Sequence, residues 1–394
     1  MAHHRSAAGR SGLSGRGVSR GLVGTLLAVV LAAALVVLWI QVGDRVDRQG
    51  DQAAATCVEG KTTVPVVADP DVAGALDEIA QDFAKTNPVV RDHCVTIAVR
   101  PGDAKITLDG LTGNWDAESL GAYPAAWVPQ SSIWAAELTA AQPDLVDGDP
   151  DSLVSSPVVL AVAPRLATAF GDDLDWQQLP TLQQRNASLG AFGLGSWGSI
   201  RLAMPTGAQS DATALAAQAV AMQVTRTTGP LTEQDARSDR VSSSVEAMLD
   251  GAPRSPDGTP VGAAREMADA QNPATSAIHA VSITEQQLYQ LTREDTMARL
   301  AEVVPGGPTP MADFPIIRLT GPRVATEQAD AVAEFFRFVA TPDELGKLTA
   351  LGFRGDAPMP PATATVTFPV TANPMPNPET AAAVTINGLV YGWA

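Results

Sequence analysis

Four times in this chain a short apolar run of strand length ends directly in a helix-start signature. That alternation constrains the fold more than any other feature. Residues 64–68 run into Asp69-Pro70-Asp71, a capping carboxylate followed by a proline at the first helical position. Residues 122–128 lead to Pro129-Gln130-Ser131-Ser132, and residues 202–204 lead to the turn 205–210. Residues 277–283 lead to Thr284-Glu285-Gln286-Gln287, which has the Thr-x-x-Gln form of a capping box. Val72, Leu76, Ile79 and Phe83 recur at helical spacing until Asn87-Pro88, and residues 95–99 form the next strand. Residues 64–99 therefore read as one βαβ unit with a right-handed connection. Repetition of that unit predicts an α/β chain.

Other elements follow from the same signals. The unbroken apolar run 158–163, ended by Pro164, predicts a strand buried on both faces. Helices are predicted from Ile133 to about Ala140, from Asp211 to Arg226, and from Thr326 to Ala340 with Val332, Phe335, Phe336 and Val339 inward. Thr341-Pro342 opens one more. Residues 251–275 read as a long loop, and the seven prolines of residues 357–378 as an extended linker. Residues 379–394 read as a short helix whose apolar group (Ile386, Leu389, Val390, Tyr391, Trp393) has no partner visible in the sequence.

The N-terminus predicts a membrane anchor. Arg5, Arg10, Arg16 and Arg20 precede residues 22–42, which carry no charge. At about 1.5 Å per residue this run spans a bilayer core, and the arginines place the tail in the cytoplasm and the bulk outside. The run exceeds the ~7–15 residues of a signal-peptide core, and the small-residue site Ala53-Ala54-Ala55 lies well beyond it. The segment before Cys57 lacks the pattern of a lipidation site. Cys57 and Cys94 then lie in an oxidising compartment, each close to the start of a strand. If those strands are parallel neighbours, both cysteines fall at one edge of the sheet and are expected to be joined.

Composition removes several functions. With 26 basic against 43 acidic residues and a net charge of −17, the chain lacks the basic face a nucleic-acid partner requires. Four histidines and two cysteines leave little material for a zinc site or a thiol enzyme. Gly193-Leu-Gly195-Ser-Trp-Gly198 fits G-x-G-x-x-G but is followed by a strand-like segment and Pro205 instead of a helix. Asp147-Gly-Asp149-Pro-Asp151 resembles a calcium loop, yet Ser152 and Val158 stand where glycine and a bidentate acid are required. His93 and His279 are read as structural. No hydrolase or metalloprotease signature is present, so neither catalysis nor a cofactor is expected.

Three of the helix starts carry small hydroxyl residues suited to a ligand: Ser131 with Ser132, Thr206 with Ser210 (Gly207 between them), and Ser282 with Thr284. In an open α/β sheet, ligands bind at the carboxyl ends of strands, where helix N-termini offer unpaired N–H groups. Ordinary helix capping is the competing reading for each.

Trp127-Val-Pro-Gln-Ser-Ser-Ile-Trp134, the 202–210 turn, Ile283-Thr-Glu-Gln-Gln287, Val304-Pro-Gly-Gly-Pro-Thr-Pro310, Asp313-Phe-Pro315 and Leu351-Gly-Phe-Arg354 occur in an order that resembles the type 2 bacterial extracellular solute-binding proteins. The likeness is to their actinobacterial, membrane-anchored form and covers about residues 62–356. It implies a two-lobe periplasmic-binding-protein-like fold with hinge crossovers, in which residues 158–163 form the first crossover and residues 303–319 contain the return. The implied division is a basic tail (1–21), an anchor (22–42) and a linker (43–61). Lobe 1 (62–157), lobe 2 (158–302), the return with the rest of lobe 1 (303–356) and a proline-rich tail (357–394) follow. Such forms often continue into a von Willebrand factor A domain, which these 394 residues lack.

The resemblance implies an extracytoplasmic receptor that captures a small solute between its lobes for transport. An envelope adaptor using the same fold without a small ligand is the alternative. Expected ligand contacts are Asp69, Asp71, Ser131, Ser132, Thr206, Gly207, Ser210 and Thr284. Oxyanion-binding relatives often carry serine in the first strand-to-helix loop. Asp69 and Asp71 in that place would repel an anion and favour a neutral or partly cationic solute.

Overall fold

The computed structural model describes residues 57–392. Two sheets carry the architecture. The first takes β1 (Gly60–Ala68), β2 (Val89–Val90), β3 (His93–Pro101), β4 (Ala126–Val128) and β5 (Asp151–Ser152). The chain then enters the second sheet as β6 (Ser156–Val162), followed by β7 (Leu202–Ala203), β8 (Ala280–Thr284), β9 (Ala301–Val303) and β10 (Met311–Ala312). It returns to the first as β11 (Pro315–Arg318). The orders are β2-β3-β1-β4-β11-β5 and β10-β6-β8-β7, with β9 also on β6.

β1 lies parallel to β3, with Val64 opposite Ile97, and parallel to β4, with Val66 opposite Ala126. The βαβ unit read from residues 64–99 is thus present. Its helix, Pro70–Lys85, is capped by the Asp69 carboxylate and buries Val72, Leu76, Ile79 and Phe83. β6 is buried along its whole length between β8 and β9, both antiparallel to it. The helices Ser132–Ala141, Asp211–Thr225, Thr326–Val339 and Pro342–Thr349 form close to where the sequence places them, although none of the four is started by a side-chain cap. Cys57 and Cys94, the only cysteines, are disulfide-bonded. The apolar run 22–42 lies outside the described residues, among which no helix is long and apolar enough to cross a membrane.

Three expectations are corrected. The segment 251–275 is not one loop: Pro260–Asp269 is a helix, started by Thr259 accepting from the Gly262 N–H with Pro260 at the first position. The Gly- and Pro-rich stretch before it masks that start signal. The proline segment is not a free linker either. It is extended but held down, through Thr309 N–H to Asn373 O (2.8 Å), Met375 N–H to Thr309 O (2.7 Å) and a fully buried Val366.

Of the apolar C-terminal group, Trp393 lies outside the described residues and the rest has a partner. Helix Thr380–Tyr391 buries Ile386 and Val390. It packs on Ser132–Ala141 beside the first sheet and on Asp211–Thr225 and Asp239–Leu249 beside the second. Its Asn387 amide donates to Glu137 Oε1 at 2.8 Å. Buried from several sides, such a helix shows no single apolar stripe, so its sequence reads as an unpartnered tail.

Candidate functional site

The carboxyl ends of β1 and β4 in the first sheet face the segments after β7 and β8 in the second. Four helix starts therefore converge. At their centre is the Asp71 carboxylate. Its Oδ1 accepts from Gln209 Nε2 (2.8 Å), and its Oδ2 accepts from Gln130 Nε2 (3.1 Å) and Gln287 Nε2 (3.0 Å). Gln130 precedes the helix after β4, whereas Gln209 and Gln287 belong to the two segments of the second sheet. Three amides from both sides of the cleft thus close on one carboxylate. Gln130 also accepts the Asp211 N–H through Oε1, at 3.1 Å.

A second bridge lies beside the first. Ser131 Oγ donates to Asp211 Oδ2 at 2.6 Å, and Trp134 Nε1 donates to both Asp211 oxygens at 2.9–3.0 Å. Ser132 donates its N–H (2.7 Å) and its hydroxyl to Asp313. Tyr391, from the C-terminal helix, stacks on Trp134 with ring centroids 6.3 Å apart.

Burial dominates the electrostatics. It drives Asp69 well above the usual carboxylate range, helped by the charges of Asp71 and Asp211. It lifts Asp71 to about 6, against the pull of the three glutamine amides, and Asp211 to about 7, against Ser131 and Trp134. Asp313 is raised for the same reason. The cleft is thus rich in carboxyls that exchange protons near neutrality. Such a lining offers hydrogen bonds to hydroxyls and amides. Among the described residues no group of three or more His, Cys, Asp or Glu could hold a metal ion.

Two cavities flank Gln209. One, of about 250 Å³, is lined by residues including Asp69, Lys105, Trp134, Thr206, Asp211 and Tyr391. The other, of about 560 Å³, is lined by residues including Asp71, Thr259, Arg265, Gln287 and Gln290. Trp127, fully buried in β4, fills neither.

Of the residues singled out in the sequence, Asp69, Thr206 and Gly207 line the first cavity and Asp71 the second. Gly207 lies against Gly258: its N–H donates to Gly258 O at 3.0 Å, and a Cβ would sit 2.7 Å from that oxygen. Ser131 and Ser210 occupy helix N-cap positions, yet neither side chain caps. The Ser131 and Ser132 hydroxyls hold Asp211 and Asp313, and the Ser210 hydroxyl donates to Gly207 O. Thr284 is a cap: it is fully buried and its hydroxyl accepts the Gln287 N–H at 3.1 Å. The Gln287 side chain does not complete the capping box but crosses to Asp71.

Sequence reasoning missed Gln130, Gln209, Gln287, Trp134, Asp211 and Tyr391. A signal existed for the glutamines, because one stands beside or within each of the three hydroxyl-bearing helix starts. Nothing local pointed to Tyr391, which arrives from a distant segment.

Comparison with known proteins adds the following. A profile of bacterial extracellular solute-binding proteins matches residues 64–354. Uncharacterized proteins from two strains of Mycobacterium tuberculosis are 38% identical over 371 residues, which is 94% of this chain and 53% of theirs. The chain thus spans about half the length of these curated relatives. Iron-bound HitA from Pseudomonas aeruginosa superposes with a TM-score of 0.56 at 13% identity, covering 84% of this chain and 99% of that one. The fructose-6-phosphate-bound periplasmic binding protein AfuA from Actinobacillus pleuropneumoniae gives 0.53 at 13% identity, covering 85% and 97%. At these identities the likeness shows the two-lobe α/β fold.

Proposed function

The chain belongs to the bacterial extracellular solute-binding protein family, and from that premise we propose that it captures a small neutral or cationic solute between its lobes and delivers it to a membrane transporter. The observation that carries this reading is the Asp71 carboxylate gripped by glutamine amides from both sides of the cleft. Each amide carries a donor and an acceptor, so a hydroxyl- or amide-bearing solute can exchange for these internal bonds. The solute would stabilise closure by its differential affinity for the closed state. Asp69, Asp71, Asp211 and Asp313 together disfavour an anion. In this reading Asp69, Asp71, Thr206 and Gly207 touch the solute, whereas Ser131, Ser132 and Ser210 position the carboxyls and the turn around it. Residues 22–42 anchor the protein with its bulk outside the cell.

The test is thermal unfolding of the full-length protein against polyols, amides, amines, carboxylates and phosphates, since ligand bound to the folded state raises its melting temperature. A neutral or cationic hit is expected, and Gln209→Ala should weaken it about tenfold as ligand groups lose a partner. Stabilisation by anions alone would refute the charge argument. Protease added to intact spheroplasts should degrade nearly all of the protein, and full protection would refute the orientation.

The adaptor reading draws on one observation. The cleft bonds to itself, and the cavity at Trp134 and Tyr391 holds only about 250 Å³, below the ~300–1,000 Å³ usual for small-ligand pockets. Failure of every solute to shift the melting temperature would favour it.

A further inference from the structure

A third cavity, of about 560 Å³, shares no lining residue with the two that flank Gln209. It lies on the other face of the Ser132–Ala141 helix start. Its walls come from that helix (Ile133, Ala136), from Asp211–Thr225 (Leu215, Gln218), from Met311 in β10, and from the C-terminal segment through Met375 and Ala383. Its size falls within the range of small-molecule sites.

One wall residue does not fit a purely structural space. Every residue from Asp211 to Met222 is buried, mostly alanine and other small or apolar side chains. Gln218 stands in the middle of this helix, 1% exposed, and neither its amide nitrogen nor its carbonyl oxygen meets a hydrogen-bond partner. Buried side-chain amides are normally satisfied, and an exception that borders a cavity marks where a partner is accepted. We propose that this cavity is a second ligand site, which takes a neutral amphipathic molecule whose amide or hydroxyl group pairs with Gln218.

The lining sets the rest of the chemistry. Asp149 and Asp313 border the space and, among the described residues, no lysine or arginine does, so a carboxylate or phosphate would enter uncompensated. Ile133, Leu215, Met311 and Met375 offer an apolar bed for a short hydrocarbon body, and methionine adapts readily to irregular shapes. Because the C-terminal segment supplies one wall, an occupant binds that segment to helices beside both sheets.

The test is calorimetric titration of the full-length protein with hexanamide and, separately, hexanoate. Hexanamide should bind and hexanoate should not. Gln218→Leu should weaken hexanamide binding about tenfold or more, since its amide loses its partner. The ligand-free variant should melt no lower than the parent, because it loses two unpaired polar atoms. Ala136→Phe, which fills the cavity from its outer side, should abolish hexanamide binding and keeps the test open if Gln218→Leu does not fold. The proposal is overturned by no binding at millimolar hexanamide, by equal binding of hexanoate, or by parental affinity in either cavity variant. A large fall in the melting temperature of ligand-free Gln218→Leu would also overturn it, as the amide would then be satisfied within the fold.

Discussion

Replacing Arg354 with methionine should expose how the two crossovers are held. Arg354 reaches Glu285 in bidentate fashion, with Nε to Oε2 at 2.9 Å and Nη2 to Oε1 at 2.6 Å. Glu285 opens the helix after β8, whereas Arg354 pairs through its backbone with Ser155, just before β6. The pair therefore fastens the second sheet to the returning chain. Glu285 is fully buried and the Arg354 side chain is 18% exposed, so solvent screening is slight. Glu302, half-buried in β9, adds a second carboxyl, pushed to about 8 by desolvation and then by the charge of Glu285.

Removing the cation leaves Glu285 without its partner beside that carboxyl, which should cost about 3–5 kcal/mol. Arg354→Lys keeps the charge but loses the fork and should cost less. Replacing both partners, as Arg354→Met with Glu285→Gln, should recover much of the loss. Urea unfolding of the full-length variants at pH 5 and pH 8 measures this. The Arg354→Met deficit should be larger at pH 8 than at pH 5, because the Arg354 charge holds down the raised Glu302 carboxyl and its loss is felt only where that group ionises. A deficit under about 0.5 kcal/mol at pH 8, the range of ordinary surface substitutions, would refute the reasoning. So would a deficit of equal size at both pH values.

Stability of the parent should itself fall as pH rises. Asp211 (about 7) and Glu302 (about 8) keep protons in the folded chain that unfolded carboxyls have released, so the folded state binds more protons and loses stability with rising pH. His279, lowered from 6.5 to about 4 by burial and then Arg201, acts oppositely below 6.5. The melting temperature should therefore drop between pH 6.5 and 8, less so in Asp211→Asn, and a rise would contradict the assignment. Replacing Cys57 and Cys94 with serine opens a long loop and should cost roughly 3–4 kcal/mol by denaturant titration, whereas an unchanged midpoint would show that the crosslink does not restrain the unfolded chain. Ile386→Ala should cost about 2–5 kcal/mol in the same assay, since Ile386 is fully buried under the C-terminal helix, and a value near zero would return that helix to the status of a loose tail.

The sequence alone determined the features whose causes are local. A capping carboxylate before Pro70, apolar spacing from Val72 to Phe83, and the apolar run that became β6 each act within one or two turns or one strand. Their elements follow whatever else the chain does. Even the parallel pairing of β1 and β3, and with it the disulfide, was legible, because one short right-handed βαβ connection leaves little choice. Local signals failed where competing ones overlapped, as at Thr259-Pro260 inside a Gly- and Pro-rich stretch. They failed again where an element is buried from several sides, as in Thr380–Tyr391. Only tertiary structure decided the site. Gln130, Gln209 and Gln287 lie 59, 138 and 216 residues from Asp71, and they meet it because two sheets present their strand ends to one cleft. Which hydroxyls cap and which hold a carboxyl depended on the same packing. Ser131 donates its hydroxyl to Asp211 because that carboxyl is buried away from water and must take its hydrogen bonds from the protein.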